Sequence, residues 1–191
     1  MISQIHASLP QFKPPEHREV YRSGIHALDD LLGHGLTSGV TVEWLGPFSC
    51  GKTATLKVLV NAMRARGLSV AWIDAHQQLV AADWSESSLG CLWVVRPPRP
   101  EDAVVCAETI LRTESFGLVV LDGATGLKGN LGTRLQRLAR KTGSSLILIH
   151  HRSLMNGAHG RLQFEANVVE SSVGLSQRGP FKWRVTIRNQ R

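Results

Sequence analysis

A short glycine-containing stretch between a predicted strand and a predicted helix constrains this chain more than any other feature. Residues 46–53 read GPFSCGKT and match the pattern G-x-x-x-x-G-K-S/T at every fixed position. The stretch follows the apolar run 40–45 and precedes residues 54–65, whose apolar positions have helical spacing. A strand, a glycine-containing turn and a helix in this order predict a phosphate-binding loop in an α/β fold.

The residue types of this loop suit a nucleotide phosphate. Gly46 and Gly51 allow a tight turn and a close approach of the backbone to phosphate oxygens. The N-terminus of the following helix adds positive potential. Lys52 is expected to reach the terminal phosphates, and the Thr53 hydroxyl is expected to bind Mg²⁺. The predicted nucleotide-binding residues of the loop are Gly46, Pro47, Phe48, Ser49, Cys50, Gly51, Lys52 and Thr53.

Composition excludes several classes of protein. The 191 residues, 42% of them hydrophobic, suit one domain with a sizeable core. Apolar runs are too short for a membrane span and the first residues lack a secretory signal, so we expect a cytoplasmic protein with no membrane partner. The three cysteines lack metal-type spacing and suit a reducing compartment. The formal charge of +7 favours an anionic partner such as nucleic acid, although a basic protein without such a partner has the same charge.

The chain divides into an arm and a core. Pro10, Pro14 and Pro15 exclude a long helix and predict an extended N-terminal arm over residues 1–22, lying on a neighbour or disordered as a tail. Residues 23–191 are expected to form a single nucleotide-binding core.

Helical and strand patterns alternate along this core. Helical spacing covers 23–32, 54–65, 101–112 and 131–141, and apolar strand patterns cover 40–45, 68–74, 92–95, 117–122 and 145–150. The alternation predicts an α/β fold with a mainly parallel β-sheet and helices on both faces. After a basic loop over 152–163, two closing antiparallel strands are predicted at about 168–176 and 181–188.

The polar residues that follow these strands mark the expected site. Ligands of parallel sheets lie at the carboxyl ends of the strands, where Gly46, Asp74, Asp122 and His150 fall. Asp122 ends an apolar strand some 70 residues after the phosphate loop, as in the second motif of nucleotide sites. We therefore predict that Asp122 and Thr53 hold Mg²⁺ beside the nucleotide.

The motif segments resemble those of one family. Residues 42–53, VEWLGPFSCGKT, resemble the V-E-I-Y-G-P-E-S-S-G-K-T stretch of RecA recombinases. Residues 72–75 resemble their second core strand, 119–122 their magnesium-side strand, and 185–189 their last core strand. The resemblance covers roughly residues 20–191 and implies a RecA-like core with ATP and Mg²⁺ as cofactors.

Two departures from the RecA pattern concern catalysis. RecA proteins continue the second strand with D-A-E, whose glutamate activates the attacking water, whereas this chain has His76 at that position. Loss of a positioned base typically costs about 10²–10⁴-fold in rate. RecA proteins also carry Asn-Gln where this chain has His150 and His151, and the glutamine senses the γ-phosphate. His76 and His151 are therefore candidate replacement bases, while drift in a site without turnover explains the same residues.

The resemblance also implies contact surfaces. Arg188 matches one of two lysines that reach a neighbouring subunit's nucleotide in RecA filaments. The loop 152–163 corresponds to the DNA-binding loop of RecA, which makes Arg152, His159 and Arg161 candidate DNA or partner contacts. The proline arm replaces the helix by which RecA joins its filament, so a filament of that kind is not expected.

A short RecA-like chain with these departures is similar to the ImuA family of bacteria. Its members are DNA-damage-inducible accessory proteins of the SOS response that act in translesion synthesis. They work with an inactive Y-family polymerase homologue and an error-prone polymerase. This implies a nucleoid-associated, partner-binding protein with weak or absent ATP hydrolysis, for which RecA, a second copy and single-stranded DNA are further candidate partners.

Two other functions compete with this one. The first is an active DNA-dependent ATPase of the recombinase type that forms oligomers on single-stranded DNA. The second is a small-molecule kinase, for which the sequence shows neither lid arginines nor an acceptor pocket.

Overall fold

The computed structural model describes residues 18–80, 84, 89–125, 127, 130–155, 158–169 and 182–189. For residues 166–169 and 182–189 it describes the backbone.

The described part of the chain contains four α-helices, a short 3-10 helix (Pro100–Asp102) and nine strands. The helices are α1 (His26–Leu31), α2 (Lys52–Ala65), α3 (Ala103–Arg112) and α4 (Leu131–Thr142). The strands are β1 (Val20–Tyr21), β2 (Leu36–Thr37), β3 (Thr41–Leu45), β4 (Val70–Asp74), β5 (Leu92–Val95), β6 (Leu118–Asp122), β7 (Ser145–His150), β8 (Gly160–Val169) and β9 (Lys182–Asn189). None of these helices is long and apolar enough to span a membrane.

Seven of the strands form one sheet in the order β5-β4-β6-β7-β3-β8-β9. The strands from β5 to β8 run parallel, and β9 pairs antiparallel with β8. A separate antiparallel pair joins β1 to β2. The predicted α/β fold, a mainly parallel sheet with closing antiparallel pairing, is confirmed.

Each face of the sheet carries its own apolar core, as expected for buried parallel strands. Helices α1 and α2 cover one face, where their leucines pack on Trp44, Trp72 and Ile149. Helices α3 and α4 cover the other face and pack on Ile73, Leu121 and neighbouring strand residues. The even and odd positions of each strand thus enter different cores.

The first closing strand was predicted wrongly. Strand β8 begins at Gly160 rather than near 168, so residues 160–163 of the predicted basic loop belong to the sheet. Their side chains alternate as a strand requires, because Leu162 and Phe164 are buried while Arg161 and Gln163 lie at intermediate exposure. Glycines and charges in this segment masked that alternation. The predicted residues 170–176 and 181 lie outside the described part of the chain.

Part of the predicted N-terminal arm belongs to the folded body. Val20 and Tyr21 form β1 opposite Thr37 and Leu36. The Tyr21 side chain is fully buried, with the Arg66 guanidinium 5.2 Å from its ring centroid. Residues 1–17 of the arm lie outside the described residues.

We predict that Gly90→Ala destabilises the edge of the sheet. A Cβ at Gly90 would lie 2.1 Å from the backbone oxygen of Leu68, and relieving such a clash costs about 2 kcal/mol of unfolding free energy. Urea denaturation measures this change. Gly160→Ala is the matched control, since its Cβ would meet Val42 at an ordinary 3.8 Å. Equal stability of the two variants would contradict the prediction.

Candidate functional site

The phosphate loop connects the end of β3 to the start of α2 through two glycines in left-handed backbone conformations. Gly46 has φ 147° and Gly51 has φ 88°. At Gly46 a Cβ would lie 2.5 Å from the backbone oxygen of Phe164 in β8 and 2.9 Å from the Cys50 sulfur. A side chain therefore has no room where the loop leaves the sheet. The loop opens at the N-terminus of α2, whose first N–H groups have no partner within the helix.

The loop side chains leave the cradle available. Phe48 is 71% exposed and its ring lies beside that of His151, while Cys50 is buried in the core below the loop. Pro47, Ser49 and Thr53 are exposed, and Ser49 has φ 57°.

Lys52 folds back over its own loop. Its Nζ donates hydrogen bonds to the backbone oxygen of Gly46 and, at 2.9 Å, to that of Pro47. The residue is buried, and this burial lowers the pKa of its ammonium group. The carbonyls thus hold the lysine charge inside the loop, where an incoming phosphate oxygen would exchange for them.

Two carboxylates stand side by side at the ends of β4 and β6. Asp74 and Asp122 are register partners. Burial, followed by the charge of Asp74, raises the pKa of Asp122 to about 6. Since a divalent cation favours the ionised form, this carboxyl is suited to bind Mg²⁺.

Asp74 is held by the residues that follow it. It accepts hydrogen bonds from the Gln78 and Leu79 backbone N–H groups at 2.9 and 3.0 Å, and Arg96 Nε lies 3.3 Å from its Oδ2. Arg96 also donates to the Leu79 backbone oxygen at 2.7 Å. These bonds hold the turn that carries His76.

Both candidate bases reach the same cavity. His76 is exposed and lies against Gly123, where a Cβ would be 2.3 Å from the imidazole Cδ2. His151 is exposed on the other side, with Nδ1 3.2 Å from the Gly46 backbone oxygen and its ring centroid 4.1 Å from that of Phe48. His76 is therefore beside the carboxylates and His151 beside the loop.

His150 is a further candidate for the site. The sequence indicated it only because it falls at the carboxyl end of a predicted strand. It is buried at the end of β7, and its Nε2 has no hydrogen-bond partner among the described residues. Burial lowers the pKa of His150 to about 4, so the imidazole is neutral at physiological pH.

One cavity of about 560 Å³ brings these parts together. It is lined by the loop from Pro47 to Ala54, by Asp74, His76 and Asp122, and by His150, His151, Arg152 and Leu154. The left-handed glycine cradle, the buried Lys52 and the paired carboxylates fit the phosphates of a magnesium nucleotide. Lys52 and the loop would hold the phosphates, and Thr53 and Asp122 would hold Mg²⁺. Bound Mg²⁺ would neutralise phosphate charge.

The predicted DNA contacts do not form one surface. Arg152 is exposed and lines the cavity. His159 lies at the opposite edge of the sheet, where its Nδ1 accepts a hydrogen bond from Thr41 N at the start of β3. Arg161 lies in β8, and its Nε donates to Glu43 at 2.8 Å. Arg188 lies in β9, where its backbone is the register partner of Gln163 in β8. The Arg188 side chain lies outside the described part of the structure.

Sequence reasoning missed the role of Glu43. Its carboxylate is fully buried in the middle of β3 and accepts four hydrogen bonds, from Ser153, Leu154, Met155 and Arg161. Burial alone would raise the pKa of Glu43, but these donors hold it below its usual value. The available signal was a charged residue in the middle of a strand whose other residues are apolar or β-branched.

We predict that His150 makes stability depend on pH. Its folded pKa of about 4 lies below the unfolded value of 6.5, so its contribution is complete above pH 6.5 and disappears as the pH falls to 4. The full change is about 3 kcal/mol of unfolding free energy. Asp122, whose pKa is raised to about 6, changes stability in the opposite sense over part of this range, and it does so in both proteins. In urea denaturation, His150→Leu should therefore gain stability relative to the wild-type protein as the pH falls from 6.5 to 4, because only the wild-type protein loses the His150 contribution. The exposed His26→Asn should retain the wild-type profile, and a wild-type profile in His150→Leu would contradict the prediction.

Comparison with known proteins agrees with this geometry. Residues 9–138 match the sequence profile described as the RecA N-terminal domain. The chain is 39% identical to Protein RecA of Leifsonia xyli subsp. xyli over 114 residues. This alignment covers 57% of this chain and 31% of that protein. Protein RecA of Treponema pallidum is 34% identical over 113 residues, 57% of this chain and 28% of that protein.

The matched relatives are much longer than this chain. Protein RecA of Methylococcus capsulatus is 36% identical over 113 residues, 57% of this chain and 32% of that protein. The chain thus spans about a third of the length of the curated relatives it matches. From the match over 9–138 and the site geometry, the chain belongs to the RecA N-terminal domain family.

Proposed function

We propose that this protein is a RecA-like accessory factor of DNA-damage-induced mutagenesis that binds magnesium-ATP and hydrolyses it weakly or not at all. One observation carries the proposal. The phosphate loop and Asp122 share a cavity with His76, which stands where the resemblance to RecA predicts the activating glutamate. The site thus combines the parts for binding with a changed part for turnover.

Binding is supported by groups that are already in position. The positive φ angles of Gly46 and Gly51 set the shape of the loop, and a hydrogen bond from Lys52 to the Gly46 backbone oxygen holds the lysine inside it. A preformed cradle lowers the ordering cost that a ligand has to overcome. ATP is therefore proposed as a structural or signalling ligand.

Weak hydrolysis is supported by the residues around His76. The nearest carboxylate along the chain, Asp74, is 2% exposed and engaged with Gln78, Leu79 and Arg96. It is therefore not available as a base. Gln77 and Gln78 carry amides, which do not accept a proton from water at neutral pH.

The alternative function is an active DNA-dependent ATPase that forms oligomers on single-stranded DNA. It is favoured by His76 and His151, which line the cavity from two sides. A neutral imidazole at either position would accept a proton from the attacking water. Hydrolysis that single-stranded DNA accelerates would establish this alternative.

The proposed partners follow from the similarity to the ImuA family. They are an inactive Y-family polymerase homologue and an error-prone polymerase, with RecA, a second copy of the chain and single-stranded DNA as further candidates. The proposed location is the cytoplasm, at the nucleoid. Arg152 is exposed and lines the cavity, so we propose that it binds the phosphate backbone of single-stranded DNA next to the nucleotide site.

We predict that the purified protein binds magnesium-ATP with at most weak turnover, which single-stranded DNA does not accelerate. Lys52→Ala should weaken binding about 10–100-fold, because a charged hydrogen bond to phosphate is lost. Calorimetry and phosphate release on one sample measure both quantities, and Lys141→Ala, an exposed lysine of α4, is the control. Absence of binding by the wild-type protein would remove nucleotide from the mechanism.

In cells, Lys52→Ala should reduce the frequency of damage-induced mutation if the accessory function requires bound ATP. Normal mutation frequency in cells that carry Lys52→Ala, together with loss of mutation when the chain is deleted, would assign the function to protein contacts alone.

We further predict that His76→Glu raises ATP turnover about 10²-fold, because it restores a carboxylate base at the position beside Asp122. His76→Gln has similar size without basicity and should leave turnover unchanged. Steady-state phosphate release at saturating magnesium-ATP is the measurement. Equal rates in the two variants would show that more than this carboxylate separates the site from an active ATPase.

A further inference from the structure

The segment between β7 and β8 forms one wall of the cavity, and its described residues, 151–155 and 158–159, contain no helix. Strand β3 lies between β7 and β8 in the sheet, so the segment passes over it. His151, Arg152 and Leu154 line the cavity. The position of this wall therefore depends on what holds the segment against the sheet.

Glu43 supplies that attachment from below. Its Oε1 accepts the backbone N–H groups of Leu154 at 2.9 Å and Met155 at 3.0 Å. Its Oε2 accepts the Ser153 hydroxyl at 2.8 Å and Arg161 Nε at 2.8 Å. A carboxylate that is 0% exposed thus binds three consecutive residues of the wall and one residue of β8.

Arg161 closes the same network from the neighbouring strand. It is the register partner of Glu43 across the β3–β8 pair. Its Nη2 donates to the backbone oxygen of Met155, so one guanidinium joins the carboxylate to the segment. Met155 in turn packs against α4 at Gly132, where a Cβ would lie 3.2 Å from the methionine Cε.

The wall also contacts the phosphate loop. His151 Nδ1 lies 3.2 Å from the Gly46 backbone oxygen, and the His151 ring meets that of Phe48. The Gly46 oxygen is one of the two that hold Lys52. A displacement of residues 153–155 would therefore reach the loop through His151.

We propose that Glu43 and Arg161 are positioning residues of the nucleotide site, which set the place of His151 and Arg152 although neither Glu43 nor Arg161 lines the cavity. The proposal rests on the proposed nucleotide binding for its affinity readout. Because the network consists entirely of protein groups, a second readout tests it independently of nucleotide.

The affinity experiment compares Arg161→Met, Arg161→Lys and Ser153→Ala in the full chain with magnesium-ATP. Arg161→Met should weaken ATP binding about tenfold, because it removes the hydrogen bonds to Glu43 and Met155 that position the wall. Arg161→Lys keeps the positive charge and should retain part of the wild-type affinity. Val104→Ala in α3 is the control for general destabilisation, since it removes buried apolar volume from a helix that does not line the cavity. Wild-type affinity in Arg161→Met, or an equal loss in Val104→Ala, would overturn the proposal.

The independent experiment is amide hydrogen exchange of the ligand-free protein. Arg161→Met and Ser153→Ala should speed exchange at Leu154 and Met155 and also in the loop 46–51, while Val104→Ala leaves the loop unchanged. Faster exchange at 154–155 with an unchanged loop would overturn the positioning role, even if ATP binds. If the wild-type protein binds no ATP, the proposed function fails while exchange in the loop still decides the positioning role.

Discussion

The hydrogen bonds to the buried carboxylate of Glu43 hold the connection between β7 and β8 against the sheet. Consecutive parallel strands of one sheet, such as β7 and β8, are usually joined by a helical crossover, which satisfies its own backbone groups. Residues 151–159 contain no helix among their described positions, and the N–H groups of Leu154 and Met155 find their acceptor in Glu43. One ionised side chain thus replaces the internal bonding of a helix, and Arg161 neutralises its charge.

The same strand joins this network to the phosphate loop. Glu43 lies in β3, and Gly46 follows the end of that strand three residues later. Gly46 also approaches the Phe164 backbone closely, so the loop packs against β8. Arg161 and Phe164 lie on that strand as well. Strand β8 therefore supports both the loop and the wall, which explains how residues outside the cavity set its shape.

The alternating patterns were sufficient to predict the sheet, its helices and the strand ends that carry Gly46, Asp74 and Asp122, because those features depend on local spacing. The start of β8 was missed because glycines and charges hide its short alternation, and its pairing with β3 is not visible in local sequence. Glu43 and Arg161 are 118 residues apart, so no local signal joins them. His159 and Arg152 are close in sequence, but the crossover takes them to opposite edges of the sheet, so they cannot act as one loop surface.

Binding and turnover depend on different kinds of structure in this site. The cradle is made of backbone geometry, one lysine and one carboxylate, so it persists when neighbouring side chains change. Under the proposed function, hydrolysis would depend on a base at the position of His76, an exposed imidazole against Gly123. A change at that position alters the rate of the chemical step without disturbing the loop. A RecA-like core can therefore keep its nucleotide as a ligand after its catalytic cycle has been lost, which is the state that the proposed accessory role requires.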